Sequence, residues 1–167
     1  RRQRQMCIRD SLKIGALTTQ VEMERSSLIK EKYPIFKDAS KLIADPAVRN
    51  CGTIGGNIAH GDAANDQPSL MIALRANFVV EGPNGKRNIS VDDFFHGFYM
   101  TSLDPSEILV EIQIPQYVDG SGSAYHKVER KVGDYATSGA AVYLELDGSK
   151  YCKQVGIGLT NVSATPM

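Results

Sequence analysis

Gly52-Thr53-Ile54-Gly55-Gly56-Asn57 is the segment of this chain with the most distinctive chemical pattern. Three glycines within five positions allow a backbone to pass close to a ligand. Successive N–H groups on such a path form a concavity suited to phosphate oxygens. Thr53 and Asn57 add neutral donors, so a pyrophosphate could be met without a lysine. The segment is neither a Walker loop nor a GxGxxG fingerprint, because the lysine and the spacing are absent. A glycine bulge between two elements explains it equally well. Asp66 comes nine residues after Asn57, just ahead of Pro68. A carboxylate there could accept from a ribose hydroxyl or a ring N–H, although a helix cap is the simpler reading.

The other candidates are weaker. His60, His96 and His126 share no metal-ligand spacing, and His60-Gly61-Asp62 has no nucleophile beside it. Cys7, Cys51 and Cys152 form no CxxC, zinc or iron–sulfur pattern. Reduced thiols in a cytoplasmic protein are the expectation. Lys127, Arg130 and Lys131 with Asp134 read as a solvated strand face, and Tyr135 as a ring at a strand end. Asp92-Asp93-Phe94-Phe95 reads as a capped turn that buries phenylalanine.

The elements that must position these residues follow from pattern. Leu12, Ile14 and Ala16 alternate as a short strand. Thr19 with Glu22 fits a capping box, so a helix starts there and ends at Tyr33-Pro34. Pro34 opens a second helix to about Ala44, which Asp45-Pro46 ends. Residues 50–57 suit neither a good helix nor a regular strand. Pro68 opens a third helix with Asn77 as its C-cap. Phe78–Glu81 and Arg87–Val91 form a hairpin around Gly82-Pro83-Asn84-Gly85. Ile108, Val110, Ile112 and Ile114 alternate up to Pro115. After a Gly/Ser-rich link, strands are expected at Ala124–Lys131, Ala140–Leu146 and Val155–Val162. A domain boundary falls near 117–122. Three strands with a bare face would make a marginal sheet.

Composition sets the outer limits. The chain has 167 residues, 42% hydrophobic and 23% charged, with a net charge of zero. These are values of a globular protein large enough to bury a core without disulfides. Residues 1–11 hold four arginines against one aspartate, a net of +3, so the remainder carries −3. That opening has no secretory apolar region and no helix or strand period. It reads as a non-native or disordered leader, similar to a translated adapter tract. Neutral total charge argues against nucleic-acid binding, and no apolar run reaches the ~18–20 residues of a transmembrane segment.

The stretch from Asp45 to Asp66 resembles the FAD-binding medium subunit of the xanthine dehydrogenase and aerobic carbon monoxide dehydrogenase family, the molybdenum hydroxylases. The likeness continues through Asp92–Gly97, Glu107-Ile108-Leu109, Ile112–Pro115, Ala124–Lys127 and Lys131–Ala136, and covers Leu12 to Met167. Ala63 stands where many relatives have proline. The resemblance implies an α+β fold. Residues 12–117 would be the second subdomain of a PCMH-type FAD-binding domain, and 122–167 the start of an antiparallel-sheet flavoprotein C-terminal domain. It implies FAD as cofactor, bound by Thr53, Ile54, Gly55, Gly56 and Asn57 at the pyrophosphate. Asp66, Leu109, Lys127 and Tyr135 are the further contacts, with Ile43 at one more position.

The implied role is that of an oxidoreductase subunit in electron transfer. Electrons would come from a molybdopterin-binding large subunit through a [2Fe-2S] small subunit, and leave through FAD to an external acceptor. No acid, nucleophile or metal ligand is required of this chain. A first FAD subdomain with its own glycine loop would precede Leu12, so the chain reads as cut at both ends. Alone, it is expected to hold FAD weakly or not at all. The rival reading is a non-catalytic assembly or interaction fragment; a muramate-reductase-type FAD enzyme fits the motifs less well.

Overall fold

A computed structural model describes residues 6–8 and 10–167. The expected leader therefore lies partly outside the described residues. Within it, Met6–Ile8 form an edge strand, β1, although the sequence shows no strand period there. Met6 pairs with Ile14 and Ile8 with Leu12, on the open side of β2 (Ser11–Gly15). The backbone ladder, rather than side-chain alternation, accounts for this strand.

Helices follow β2. Thr19 caps α1 (Gln20–Arg25) through the expected box: its Oγ1 accepts from the Glu22 N–H, and its own N–H donates to Glu22 Oε2 at 2.9 Å. The single helix expected up to Tyr33 is divided, because Ser26 ends α1 and caps α2 (Ser27–Lys32). α3 (Pro34–Ser40) begins with its proline, as expected. Asp45 starts a helix as well as following one: its Oδ1 accepts from Val48 N–H at 2.8 Å and caps α4 (Pro46–Cys51).

The glycine segment is also helical from Ile54. Thr53 caps α5 (Ile54–Ala59), and none of Gly52, Gly55 or Gly56 has a positive φ. Glycine serves close approach here. A Cβ on Gly55 would lie 2.5 Å from the Ala16 Cβ, so only glycine lets α5 sit on the link after β2. α6 (Asp66–Ala73) ends near Leu74, and the positive φ of Arg75 turns the chain so that Asn77 opens β3 rather than capping the helix.

β3 (Asn77–Gly82) and β4 (Gly85–Ser90) make the expected hairpin. A 3-10 turn at Val91–Asp93 leads to the short pair β5 (Phe95–Gly97) and β6 (Met100–Thr101). β7 (Ile108–Pro115) matches its expected bounds but not its expected face. A register shift opposite Val79 and Val80 puts Leu109 inside with Ile112 and Ile114, and leaves Ile108 exposed. The first sheet has the order β1-β2-β7-β3-β4.

β8 (Gly122–Val128), β9 (Ser138–Leu146) and β10 (Cys152–Thr160) form a separate antiparallel sheet in the order β10-β9-β8. The change of texture near 117–122 thus coincides with a change of sheet. The core does not break there, because Tyr125 and Ala141 belong to the same buried cluster as the helices and the first sheet. The fold is a mixed helix and antiparallel-sheet structure, α+β. Among the described residues no helix is long and apolar enough to cross a membrane.

Candidate functional site

Two cavities of similar size lie on opposite parts of the molecule. One, about 430 Å³, is a polar groove on the outer face of the first sheet, lined by Lys86, Arg87, Asn88, Glu111 and Gln113 among others. It contains none of the residues singled out in the sequence. The other, about 410 Å³, lies where the helices meet the second sheet, and it gathers most of them. Ile43, Thr53, Gly56, Asn57, Asp66 and Tyr135 all line it.

α5 supplies the first side. Its Thr53 Oγ1 accepts from Gly56 N–H at 3.1 Å. The N–H groups of Ile54 and Gly55 do not open to a ligand: they donate to the carbonyls of Thr18 and Ala16, each at 2.9 Å. Ile54 is fully buried beneath the cavity, and neither it nor Gly55 lines it. Ile54 and Gly55 therefore act through packing, while Thr53, Gly56 and Asn57 form the surface. Asn57 Oδ1 is buried and has no hydrogen-bond partner among the described residues. Asn65 donates from Nδ2 to the Asn57 carbonyl at 2.9 Å and lies 3.1 Å from His60 Nδ1, so it braces this wall.

α6 supplies the floor. Asp66 is its first residue and is 7% exposed. Its Oδ1 accepts from Tyr125 Oη at 2.5 Å and its Oδ2 from Lys127 Nζ at 3.2 Å. Lys127 also donates to the Leu42 carbonyl at 3.0 Å and lies 3.3 Å from Glu129 Oε2. Burial pushes the Asp66 carboxyl above its ordinary range, against the Tyr125 hydrogen bond and the Lys127 charge. Burial and the adjoining Asp66 charge push the Tyr125 hydroxyl far up in turn. Lys127 stands behind Asp66 and does not line the cavity; nor does Leu109, which belongs to the core.

The third side is apolar. Ile43, Ala44 and Val48 form it, and Arg49 holds the turn by donating from one guanidinium nitrogen to the Ile43 and Ala44 carbonyls at 2.9 and 2.8 Å. Gly133 comes against this turn with a positive φ; a Cβ there would lie 3.0 Å from the Ala44 carbonyl oxygen. That contact carries Asp134 and the exposed ring of Tyr135 to the rim. Gln20, Val48, Asn65 and Gly133 have no individual role in the sequence reading, and Asp134 appears there only as part of a solvated strand face. Gln20 follows the Thr19 cap, but its meeting with Gly52 is visible only in the fold.

With this geometry, comparison with known proteins is specific. Residues 5–117 match the family described as the FAD binding domain in molybdopterin dehydrogenase. The chain is 48% identical over 154 residues to the carbon monoxide dehydrogenase medium chain of Hydrogenophaga pseudoflava, covering 92% of this chain and 53% of that one. The medium chain from Afipia carboxidovorans gives the same identity and coverage. A structure of the Hydrogenophaga pseudoflava carbon monoxide dehydrogenase lacking the Mo-pyranopterin moiety superposes with a TM-score of 0.94 at 46% identity, over 98% of this chain and 57% of that chain. Quinoline 2-oxidoreductase from Pseudomonas putida 86 superposes at 0.86 with 32% identity, over 96% and 55%. The chain spans about half the length of the curated relatives it matches. It belongs to the family of FAD binding domains of molybdopterin dehydrogenases.

Proposed function

We propose that the 410 Å³ cavity is the FAD site, and that the protein serves as the flavin-carrying medium subunit of a molybdenum hydroxylase of the carbon monoxide dehydrogenase type. The observation that carries this is the convergence of Ile43, Thr53, Asn57, Asp66 and Tyr135, from separate segments, on one cavity. The residues suit the group. Asn57 Oδ1 is a buried acceptor in need of a donor, and Asp66 offers a carboxylate at the floor. Ile43, Ala44 and Val48 offer an apolar wall to a ring, and Tyr135 a ring at the rim. The volume is that of an ordinary small-molecule site.

When bound, the flavin supplies the redox chemistry, and the protein contributes binding, orientation and electrostatics. Thr53, Gly56 and Asn57 meet the nucleotide, Asp66 fixes one end, and Lys127 and Tyr125 hold Asp66. Leu109, Ile54 and Gly55 act from beneath by shaping the surface. In this reading electrons reach the cofactor from the [2Fe-2S] clusters of a small subunit, served by a molybdopterin-binding large subunit, and leave to an external acceptor in the cytoplasm.

Reconstitution of the intact gene product with FAD tests the assignment. A stoichiometric flavin absorption band, lost in Asn57→Leu, is expected. No band in the wild type would favour the interaction-fragment reading instead. A band unaffected by substitutions at Asn57, Asp66 and Tyr135 would move the site elsewhere.

A further inference from the structure

Gln20 and Gln67 form a buried pair that neither the helix caps nor the contacts above explain. They are 3% and 1% exposed. Gln67 Nε2 donates to Gln20 Oε1 at 2.8 Å, joining the start of α6 to the start of α1. Gln67 Oε1 is buried without a partner among the described residues. The Gln20 side-chain N–H groups donate to no acceptor among the described residues. Such a pair makes a poor structural device, because the unmet Gln67 Oε1 costs stability that an apolar side chain of similar size would not.

The pair does achieve one thing. It fixes the Gln20 side chain by its oxygen and leaves the NH₂ end as the free end. The backbone is fixed as well, since Gln20 N–H donates to the Gly52 carbonyl at 3.0 Å. Gln20 lines the cavity, whose lining includes Asp66 and Asp134 but no lysine or arginine. A ligand rich in phosphate and hydroxyl oxygens must therefore be met there by neutral donors.

We propose that Gln20 is a ligand-binding residue whose side-chain amide donates to an oxygen of the flavin nucleotide, and that Gln67 is the positioning residue that holds it. This rests on FAD occupying the cavity. The donor is pre-aimed, so its rotamer entropy is spent in folding rather than on binding.

FAD titration of the intact gene product, followed by flavin fluorescence, tests both roles. Gln20→Leu should weaken FAD binding about tenfold, the size of one hydrogen bond. Gln20→Glu should weaken it at least as much, because a glutamate keeps the bond from Gln67 but offers no donor. It also guards against a loss caused only by misfolding. Gln67→Met should weaken binding about threefold through lost aim. The double variant should bind no worse than Gln20→Leu. Wild-type affinity in both Gln20 variants would overturn the proposal while leaving the FAD site standing. Additive losses in the double variant would overturn the role of Gln67. Absence of FAD binding by the wild type would overturn the FAD reading itself, and this proposal with it.

Discussion

The two larger sheets attach to the helical layer by opposite means. The first sheet turns Leu12, Ile14, Phe78, Val80, Ile112 and Ile114 inward, all essentially fully buried, and leaves polar residues such as Lys13, Glu111 and Gln113 on its other face. Apart from Tyr125, the second sheet turns mainly small and polar groups inward: Gly156, Gly158, Ala141, Lys127, Glu145 and Thr160. Its larger apolar residues Val142, Val155 and Ile157 face out and are exposed. The first sheet is thus held by apolar area, which is non-directional. The second is held by backbone contact and a buried polar network, which are directional and fail sharply when one atom is wrong. The candidate site lies against the second sheet, and Asp66 is gripped from it.

The sharpest break should come at Lys127. Lys127→Met removes the cation facing Asp66 and leaves a buried carboxylate, a change that costs about 3–5 kcal/mol in comparable sites. The pH dependence distinguishes this cause from lost packing. The Asp66 carboxyl titrates above its ordinary range, so the folded state binds the proton more readily than the unfolded chain. The stability linked to it is complete below the unfolded value, about 3.9, and declines as pH rises through the folded value. Without Lys127 the folded value rises further. Urea unfolding should show the variant most destabilised at neutral pH and recovering in mild acid. A cost equal at both would point to packing alone.

Gly158 tests the backbone contact. A Cβ there would lie 1.9 Å from the Ser69 carbonyl oxygen, and one on Gly156 would lie 2.0 Å from that of Ala73. Neither carbonyl can yield without moving α6. Gly158→Ala should therefore cost about 3 kcal/mol, more than the about 1 kcal/mol expected when Ile112→Val trims the first sheet. Equal costs would erase the contrast between the sheets.

Much of this was legible in the sequence. Local signals were sound: the Thr19 box, Pro34 at a helix start, the Gly82–Gly85 hairpin and the bounds of β7 all depend on neighbours in the chain. What escaped depends on distant partners. The glycines of 52–56 suggested a loop of special backbone, but Gly55 is required by Ala16, far away in sequence. β7 alternates correctly, yet a register shift set by β3 exchanges its faces. At the site, Thr53, Asn57 and Asp66 were readable as residue types, and Tyr135 only through the family resemblance. Gln20 was not, since its meaning comes from Gln67 across the helix junction.

A smaller effect is expected within the first sheet's surface. Arg87 donates from Nε and a terminal nitrogen to both Glu107 carboxylate oxygens, each at 2.7 Å. These bonds, with the Asp104 N–H, pull the Glu107 carboxyl down to about 2. A carboxyl lowered in the folded state adds stability above its unfolded value, about 4.3, and loses it as pH falls toward the folded value. Acid unfolding of Glu107→Gln should lack that component between about pH 4.5 and 2, and the difference from wild type should vanish at the acid end. The slope is opposite in sign to that expected from Asp66, which separates the two sheets in one titration.

The smallest effect belongs to the outer face of the second sheet. Ile157 is 55% exposed and stands opposite Val142 on β9. Much of its side chain is already in water, so Ile157→Thr should change stability by no more than about 0.5 kcal/mol. Threonine also keeps the β-branch that suits a strand. The same substitution at buried Ile112, on the first sheet, removes apolar area from the core and places a hydroxyl there, and should cost several times more. Thermal melts of the pair would measure the difference directly. A large loss from Ile157→Thr would mean that the outward apolar residues, and not the inward glycines and polar network, hold the second sheet together.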